Sequence, residues 1–161
     1  MLDDLPLDPA IHDRQGFECG IPALNEYLHR FAEQHRRRGI SSIYVLTESA
    51  QPERILGYYT LSAAEVDGQR LTEAERKKLP RYPVPCFRMG RLACRTDQRG
   101  QGLGKLLLGC AVDRCLKARQ LVAAYASVVD AKDDVAKAFY VHFGFKTLRD
   151  APLTLYLSLG R

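Results

Sequence analysis

The sequence predicts an α/β fold on a mixed sheet, because helical and strand-like patterns alternate along the chain. Residues 22–38 carry apolar side chains at helical spacing, whereas 42–47 and 55–63 are rich in β-branched and aromatic residues. A glycine-rich segment at 98–104, called the glycine turn below, joins a predicted strand to a predicted helix. The predicted order of elements is α-β-β-α-β-α-β-α-β-β, which is typical of an α/β protein.

The first half of the chain is predicted to form helices on either side of a strand pair. The first helix ends in a basic run and is stopped by Gly39. The two strands that follow are separated by Gln51 and Pro52, which predicts an antiparallel pair. A short helix is expected at 71–78, and the proline-rich segment 81–85 is expected to be a rigid extended loop.

The second half is expected to supply the remaining strands and helices. The run 121–128 is almost continuously apolar, so it is expected to be a central, buried strand. The other strands are predicted at 86–95, 145–148 and 153–159. The helices are predicted at 105–117 and 133–143, the second with Gly144 at its C-terminal cap.

Length and composition indicate a single domain over residues 1–161, large enough to bury its own core. Hydrophobic residues make up 46% of the chain and charged residues 27%, which is ordinary for a globular protein. No apolar run approaches the length of about 18 residues that a membrane span needs. The N-terminus is acidic and lacks the apolar segment of a secretory signal, so a cytoplasmic protein is expected.

The cysteines and histidines predict neither disulfides nor a metal site. There are five cysteines, an odd number without C-x-x-C spacing. Most are expected to be small buried side chains, although Cys19, beside Gly20 in a predicted turn, is an alternative nucleophile. Among the histidines, which lack metal-ligand spacing, His29 and His35 are assigned to a basic helix face and His142 to a helix surface.

Positive charge is clustered along a chain whose net charge is +5. The clusters are either solvated surfaces or sites for a phosphate-rich partner, and the sequence leaves both interpretations open. The residues that are candidates for contact with nucleic acid are Arg36, Arg37, Arg38, Arg76, Lys77, Lys78, Arg88 and Arg91.

The glycine turn gives the strongest indication of a binding site. Gly100, Gly102 and Gly104 permit a tight turn with inward-pointing amides, and the next helix begins with free N–H groups and the positive end of its dipole. These features predict a phosphate or pyrophosphate site, with a plain strand-to-helix turn as the alternative. A P-loop is excluded because Lys105 is followed by Leu106, and the acidic residue of a dinucleotide fingerprint is missing.

Two motifs resemble those of the GNAT acetyltransferases. The segment from Arg99 to Gly104 matches the R/Q-x-x-G-x-G/A pattern, and 133–145, which includes Ala136 and Tyr140, matches a second signature of that family. Other segments are similar to the acetyltransferase toxins of bacterial toxin–antitoxin pairs, which acetylate aminoacyl-tRNA. These segments are Phe17-Glu-Cys-Gly20, Leu24-Asn-Glu-Tyr-Leu28, Gly57-Tyr-Tyr-Thr-Leu-Ser62, Leu79-Pro-Arg-Tyr-Pro-Val-Pro85, Gly90-Arg-Leu-Ala93 and Val129-Asp-Ala131.

The resemblance implies a GNAT-type domain whose mixed, mostly antiparallel sheet has about six to seven strands, a splayed central pair and helices on both faces. It implies transfer of acetyl from acetyl-CoA to a primary amine, with the α-amino group of aminoacyl-tRNA as the expected acceptor. A small amine or a protein acceptor without a toxin role is the alternative, as is a non-catalytic coenzyme-binding module. The resemblance also implies a ribbon-helix-helix antitoxin as partner and a homodimer.

Roles for individual residues follow from the same resemblance. The backbone of Leu92 and Ala93 would pair with the pantetheine arm of the coenzyme like an added β-strand. Asp133 is a further candidate for contact with the coenzyme, at a position where relatives often carry Asn. Tyr140 would donate a proton to the departing thiolate, unless it is a core tyrosine. The pyrophosphate would be held by the amides of Arg99, Gly100, Gln101, Gly102, Leu103 and Gly104, with the side chains of Arg99 and Lys105 as further contacts.

No general base is evident from the sequence. Glu65 and Asp97 are weak candidates, because they lie near a strand end and near the glycine turn. An α-amine has a pKa of about 7.7–8.0, against about 10.4 for lysine, so part of it is already neutral near pH 7. The missing base therefore favours an α-amine as acceptor over a lysine side chain.

Overall fold

The structure is a computed structural model that describes residues 1–98 and 100–160. Its strands are β1 (Leu2–Pro6), β2 (Ser42–Glu48), β3 (Gly57–Val66), β4 (Val84–Cys94), β5 (Ala126–Asp130), β6 (Lys146–Leu148) and β7 (Ala151–Ser158). Its helices are α1 (Pro22–Glu26), α2 (Ala32–Arg37), α3 (Glu73–Arg76), α4 (Leu103–Ala118) and α5 (Asp134–His142). A π-helical turn, Tyr27–Phe31, joins α1 to α2, and 3-10 turns lie at Gly68–Arg70 and Thr96–Gln98.

The strands form a seven-stranded sheet in the order β1-β2-β3-β4-β5-β7-β6. The pairs β1–β2, β2–β3, β5–β7 and β6–β7 are antiparallel. The pair β4–β5 is parallel, with residues 86–89 beside 126–129, and β4 continues past that register to Cys94. The prediction of an α/β fold on a mixed, mostly antiparallel sheet is confirmed.

The chain divides into two compact units. The first comprises Met1–Ser62 and Gly90–Val112, and the second comprises Ala63–Met89 and the described residues from Asp113 on. The core of the first unit includes Phe17, Tyr27, Leu28, Ile43, Val45, Ile55, Tyr58 and Ala93. The core of the second includes Val66, Leu71, Cys86, Ala126, Val128, Leu148 and Tyr156.

The helix predicted at 22–38 is present, but it is not a regular α-helix throughout. The π-helical turn interrupts it between α1 and α2. Gly39 then adopts a φ of +71°, a left-handed conformation that glycine reaches without steric cost and that ends the helix as predicted. Gly144 ends α5 in the same way, with a φ of +96°.

The edge strand β1 was not predicted from the sequence. Its residues do not alternate between buried and exposed, and Leu2 and Leu5 are each 41% exposed. Pairing with β2, from Leu2↔Glu48 to Pro6↔Tyr44, defines the strand instead. Acidic residues and a proline on an edge strand oppose pairing with other chains. The same residues are rare in strands, and this is why the sequence did not predict a strand here.

The prediction of a buried strand over 121–128 is wrong in its first part. The backbone N–H groups of Leu121 and Val122 both donate to the carbonyl of Ala118 at 3.0 Å, so these residues extend the last turn of α4. Their side chains are 90% and 67% exposed. The strand begins only at Ala126, since apolar character alone does not distinguish a strand from an exposed helix end.

Two smaller boundaries also differ from the prediction. The helix expected at 71–78 is limited to α3, because Leu71 is buried in the core of the second unit rather than helical. The segment 81–85, expected to be a loop, already enters β4 at Val84.

None of the five cysteines forms a disulfide within the described residues, and Cys19, Cys86 and Cys115 are buried. Cys19 is only 3% exposed, which argues against the alternative in which it is a nucleophile. Within residues 1–98 and 100–160, no group of three or more His, Cys, Asp or Glu side chains is placed to hold a metal ion. In that same part of the chain, no helix has the length and apolar character needed to cross a membrane.

Candidate active site

The glycine turn contains two residues with left-handed backbone. Gly100 and Gly102 have φ values of +81° and +73°, a region that L side chains rarely adopt. Apart from the adjoining residues, no atom of the described chain lies within 4 Å of the position that a Cβ would take at either glycine, so this side of the turn faces open space. Leu106 donates its N–H to the carbonyl of Gly102 at 3.1 Å, which closes the first turn of α4.

The N-terminus of α4 therefore follows directly from the turn. Gly104 lies in the first turn of α4 and does not have a positive φ. It is therefore part of the helix and not of the tight bend that the sequence suggested. Lys105 is exposed in the first turn, where its cation is available to an anion. The α4 dipole and the first-turn N–H groups favour a phosphate at this end of the helix. Arg99, the other predicted phosphate contact, lies outside the described residues.

The segment that leads into the glycine turn is held in place by an arginine network. Asp97 pairs with Arg54, and its other oxygen lies 3.6 Å from Nε of Arg95. Arg95 also donates from Nη1 to the carbonyl of Ile55 at 3.1 Å and from Nη2 to the carbonyl of Gly16 at 2.9 Å. These bonds fix where β4 ends and where the turn begins.

The end of β4 lies in the first unit with the glycine turn. Ala93 is buried and Leu92 is half-buried. The Ala93 carbonyl oxygen lies 3.0 Å from the position of a Cβ built on Gly57, and Leu107 of α4 lies 3.2 Å from that position. Glycine at position 57 is therefore what allows β3, β4 and α4 to approach one another here.

In the second unit, α5 begins with a side-chain cap. Asp133 accepts a hydrogen bond from the backbone N–H of Ala136 at 2.8 Å and has an extended backbone, as an N-cap residue does. This gives the Asp133 carboxylate a structural role that the sequence analysis did not assign. The signal was present, because Asp directly before a predicted helix is a typical N-cap.

Tyr140 lies on α5 and is 9% exposed. Its ring centroid is 5.4 Å from those of Phe139 and of Phe145. Within residues 1–98 and 100–160 its hydroxyl has no hydrogen-bond partner, so the usual satisfied hydroxyl of a core tyrosine is not seen. Burial raises the pKa of Tyr140 to about 12, which keeps the phenol protonated at neutral pH.

Neither weak candidate for a general base gains support. The Asp97 carboxylate pairs with Arg54 and lies near Arg95. It therefore has a structural role in the arginine network, which does not support a role as general base. Glu65 is exposed on β3 in the second unit. The predicted site residues 92–93 and 100–105 thus belong to the first unit, while Asp133 and Tyr140 belong to the second.

Two of the basic candidates at the end of α2 line a groove of about 600 Å³ in the first unit, called the α2 groove below. Arg14 and Arg30 were not predicted to belong to this surface, because neither lies in a basic run. Arg36 is held more closely than Arg37, because Glu33 accepts from Arg36 Nε at 3.0 Å and Nη2 at 2.6 Å, whereas Arg37 Nε lies 3.7 Å from the same carboxylate. The α2 groove is lined by Arg14, His29, Arg30, Glu33, Gln34, Arg37 and Arg38.

The histidines near this groove are structural as well as basic. His29 Nε2 lies 2.9 Å from the carbonyl oxygen of Phe17, and His35 Nδ1 lies 2.9 Å from the hydroxyl of Tyr27. The basic face predicted for this helix is present, but these two side chains also hold it against the rest of the first unit.

The remaining basic candidates for contact with nucleic acid differ in their environments. Lys77 and Lys78 are exposed and Arg76 is half-buried, all at the end of α3 in the second unit. Arg88 pairs with Asp130. The guanidinium carbon of Arg91 lies 3.5 Å from the ring centroid of Tyr27 in the first unit, a cation–π contact.

Comparison with known proteins identifies relatives over nearly the whole chain. A sequence model described as an acetyltransferase (GNAT) domain matches residues 40–147. The chain is 34% identical over 147 residues to a tRNA-acetylating toxin of Mycobacterium tuberculosis, which covers 91% of this chain and 86% of that protein.

Solved structures agree with that relationship. The structure of AtaT complexed with acetyl-methionyl-tRNAfMet matches with a TM-score of 0.91 and 29% identity, covering 98% of this chain and 95% of that one. A tyrosine-to-phenylalanine mutant of the AtaT toxin, bound to the C-terminus of the antitoxin AtaR and acetyl-CoA, matches with a TM-score of 0.83 and 27% identity, covering 98% of this chain and 93% of that one.

Proposed function

This chain belongs to the GNAT acetyltransferase family, and we propose that it transfers acetyl from acetyl-CoA to the α-amino group of an aminoacyl-tRNA. The relatives support this acceptor, because one is a tRNA-acetylating toxin and another was solved with acetyl-methionyl-tRNAfMet. Charged tRNA is found in the cytoplasm, which is where the enzyme would act.

The observation that carries the proposal is the glycine turn at the start of α4. A pyrophosphate cradle is supported by two left-handed glycines, by the open space beside them and by the N-terminus of the long helix that follows. In the proposed assignment the amides of Arg99 to Gly104 hold that group, and Lys105 adds a cation. Leu92 and Ala93 offer strand backbone to the pantetheine arm.

We assign Tyr140 as the residue that assists the leaving group. Acetyl-CoA supplies an activated thioester. In the reaction a C–N bond forms between the acetyl group and the amine, and the C–S bond of the thioester breaks. One proton leaves the amine, and one proton reaches the sulfur. The pKa of Tyr140 near 12 is above the thiol value of about 8.5. Complete proton transfer from Tyr140 is therefore uphill, and its hydroxyl acts by hydrogen bonding to the developing thiolate while the amine proton completes the balance.

The acceptor requires little help in losing its proton. An α-amine with a pKa of about 7.7–8.0 is partly neutral at pH 7. Water suffices as the proton acceptor in that case, which is consistent with the engaged carboxylate of Asp97 and the exposed position of Glu65.

Positive surface supports a nucleic-acid acceptor over a small amine. The α2 groove contains Arg14, Arg30, Arg37 and Arg38 against one glutamate. Such a surface is more than the coenzyme needs and suits RNA phosphates. The other basic candidates of the sequence analysis, Arg36 and those on α3 and β4, are proposed as further contacts.

The toxin relatives also suggest the partners of this enzyme. AtaT binds the C-terminus of its antitoxin AtaR. We extend this to a ribbon-helix-helix antitoxin for the present chain and to a homodimer, which sedimentation and co-expression with the neighbouring gene would test.

The acceptor is tested by incubating the enzyme with labelled acetyl-CoA and either charged or uncharged tRNA. The proposal expects label only with charged tRNA. Acetylation of free polyamines or peptides, without acetylation of any charged tRNA, would instead establish an acetyltransferase of small amines or proteins.

A further inference from the structure

A cluster of hydroxyl groups surrounds the carboxylate of Glu75 on α3, within the second unit. Oε1 accepts hydrogen bonds from the hydroxyls of Tyr125 at 2.6 Å and Ser158 at 2.5 Å. Oε2 accepts from the hydroxyls of Tyr156 and, at 3.2 Å, of Thr72. These residues, called the Glu75 cluster below, join a four-residue helix to the strand β7 and to the residue before β5.

Glu75 is charged in this position. Its side chain is 13% exposed, and burial by itself raises the pKa of the carboxyl group. Hydrogen bonds from Ser158, Tyr125, Tyr156 and Thr72 outweigh that effect and lower the pKa to about 2. The cluster is therefore an anion held by donors throughout the physiological pH range.

The lowered pKa means that the charged carboxylate favours the folded state at neutral pH, but stability alone does not require a charge at this position. A buried charge loses its hydration, and an apolar side chain of similar volume often stabilises a protein as well or better. What a fully bonded carboxylate supplies is a fixed orientation for the helix that carries it.

The segment around α3 carries a second positive groove. Arg76 and Lys77 of the sequence-predicted cluster line it with Arg81, in a volume of about 590 Å³. This surface, called the α3 groove below, is lined by Asp67, Gln69, Arg76, Lys77, Leu79 and Arg81.

Further bonds tie the start of this segment to the turn between β6 and β7. The Arg149 N–H donates to the carbonyl of Arg70 at 2.8 Å, and its Nη1 donates to the carbonyl of Gln69 at 3.2 Å. Arg70 pairs with Asp150 at 2.9 Å. The Glu75 cluster thus fixes the helical end of a segment whose other end is already anchored.

We propose that Glu75 is a positioning residue that presents the cations of the α3 groove to the phosphates of the tRNA acceptor. The inference rests on the proposed function, because it takes RNA as the ligand. Ordering flexible basic side chains during binding costs free energy, and a backbone fixed beforehand reduces that cost. The negatively charged Glu75 carboxylate then strengthens the binding of tRNA phosphates, whereas its charge alone would weaken it.

The chain offers a matched control on the same helix. Glu73 is 69% exposed and lies 3.8 Å from Lys77, whereas Glu75 is held in the cluster. Glu73→Gln and Glu75→Gln each remove one negative charge beside the α3 groove. A purely electrostatic account expects both variants to bind tRNA equally, or slightly more tightly than the wild type.

The positioning account expects the two variants to differ. Glu75→Gln should bind tRNA roughly 2- to 12-fold more weakly than the wild type, the equivalent of ordering one flexible side chain, and with a shallower salt dependence. Glu73→Gln should bind at least as tightly as the wild type. Both should retain acetyl-CoA affinity, and amide exchange within 72–79 should accelerate only in Glu75→Gln.

Tyr125→Phe provides a variant without change of charge, for the case that Glu75→Gln does not fold. It removes the hydroxyl that bonds Oε1 at 2.6 Å, and a smaller loss of tRNA affinity is expected. If Glu75→Gln and Glu73→Gln bind tRNA with equal affinity, the inference is contradicted while the proposed function stands. If Glu75→Gln does not fold, an unchanged tRNA affinity of Tyr125→Phe contradicts the inference in the same way. Failure of the wild type to bind tRNA at all contradicts both.

Discussion

The Asp133 side chain accepts a hydrogen bond from the Ala136 N–H at 2.8 Å and so caps the helix that carries Tyr140. Asp133→Ala removes the cap and should destabilise the fold by about 1 kcal/mol in chemical denaturation. Asp133→Asn keeps an N-cap acceptor and should change stability by only a few tenths of that amount. If Asp133→Asn instead weakens acetyl-CoA binding at unchanged stability, the side chain contacts the coenzyme.

Tyr140→Phe removes one hydroxyl that has no partner in the described chain, so it should leave the fold and acetyl-CoA affinity intact. The acetyl-transfer rate should fall by about 10² to 10³, the usual effect of losing one hydrogen-bond donor to a developing negative charge. Phe139→Leu, which alters a ring that packs against Tyr140, serves as a packing control and should cost far less. Wild-type kinetics in Tyr140→Phe would make Tyr140 a core residue.

The pH profile provides a second check on Tyr140. Because its pKa is raised to about 12, the protonated form persists across the range in which the enzyme can be assayed. The transfer rate should rise with pH as the acceptor amine loses its proton and should show no alkaline loss from Tyr140 near pH 10.

Gly102→Asp tests the pyrophosphate cradle. The Cβ meets open space, and Asp tolerates a left-handed φ better than most residues, so the variant should fold. Its carboxylate should weaken acetyl-CoA binding by at least about fivefold, since like charges about 4 Å apart repel by about 1 kcal/mol even in water. Gly102→Asn has the same shape without the charge and should bind more tightly than Gly102→Asp in isothermal titration. Equal affinity of all three proteins would contradict the cradle.

The three consecutive arginines of the basic run should not contribute equally to RNA binding. Arg36 is bonded twice to Glu33, whereas Arg37 and Arg38 line the α2 groove. Arg37→Gln or Arg38→Gln should reduce the slope of log affinity against log salt by about 0.7–0.9, the value for one phosphate contact, and Arg36→Gln by less. Equal effects of all three would indicate a diffuse charged surface.

Local patterns were sufficient for most elements and for the glycine turn. The β-branched and aromatic residues of 42–47 and 55–63, with Gln51 and Pro52 between them, predicted the antiparallel pair. Gly100 and Gly102 of the turn are left-handed, as their spacing suggested. Both features depend on neighbouring residues in the chain, and this is the information that periodicity and turn residues carry.

Features built by distant residues were not predictable in this way. Glu75 meets Tyr156 and Ser158 across a separation of 81 and 83 residues, and Arg95 meets the carbonyl of Gly16 across 79. No local pattern marks such pairs. The strand β1 was missed for the same reason, because its partner β2 lies far along the chain and its own side chains are largely exposed.

The central claim is tested most directly by identifying the acetylated atom. Charged tRNA is treated with enzyme and acetyl-CoA, then digested to nucleosides for mass spectrometry, with Tyr140→Phe as the slow control. The account predicts N-acetyl-aminoacyl-adenosine from the tRNA 3′ end, formed rapidly by the wild type and far more slowly by the variant. Unmodified aminoacyl-adenosine from the wild-type reaction, with every charged tRNA supplied, would contradict it.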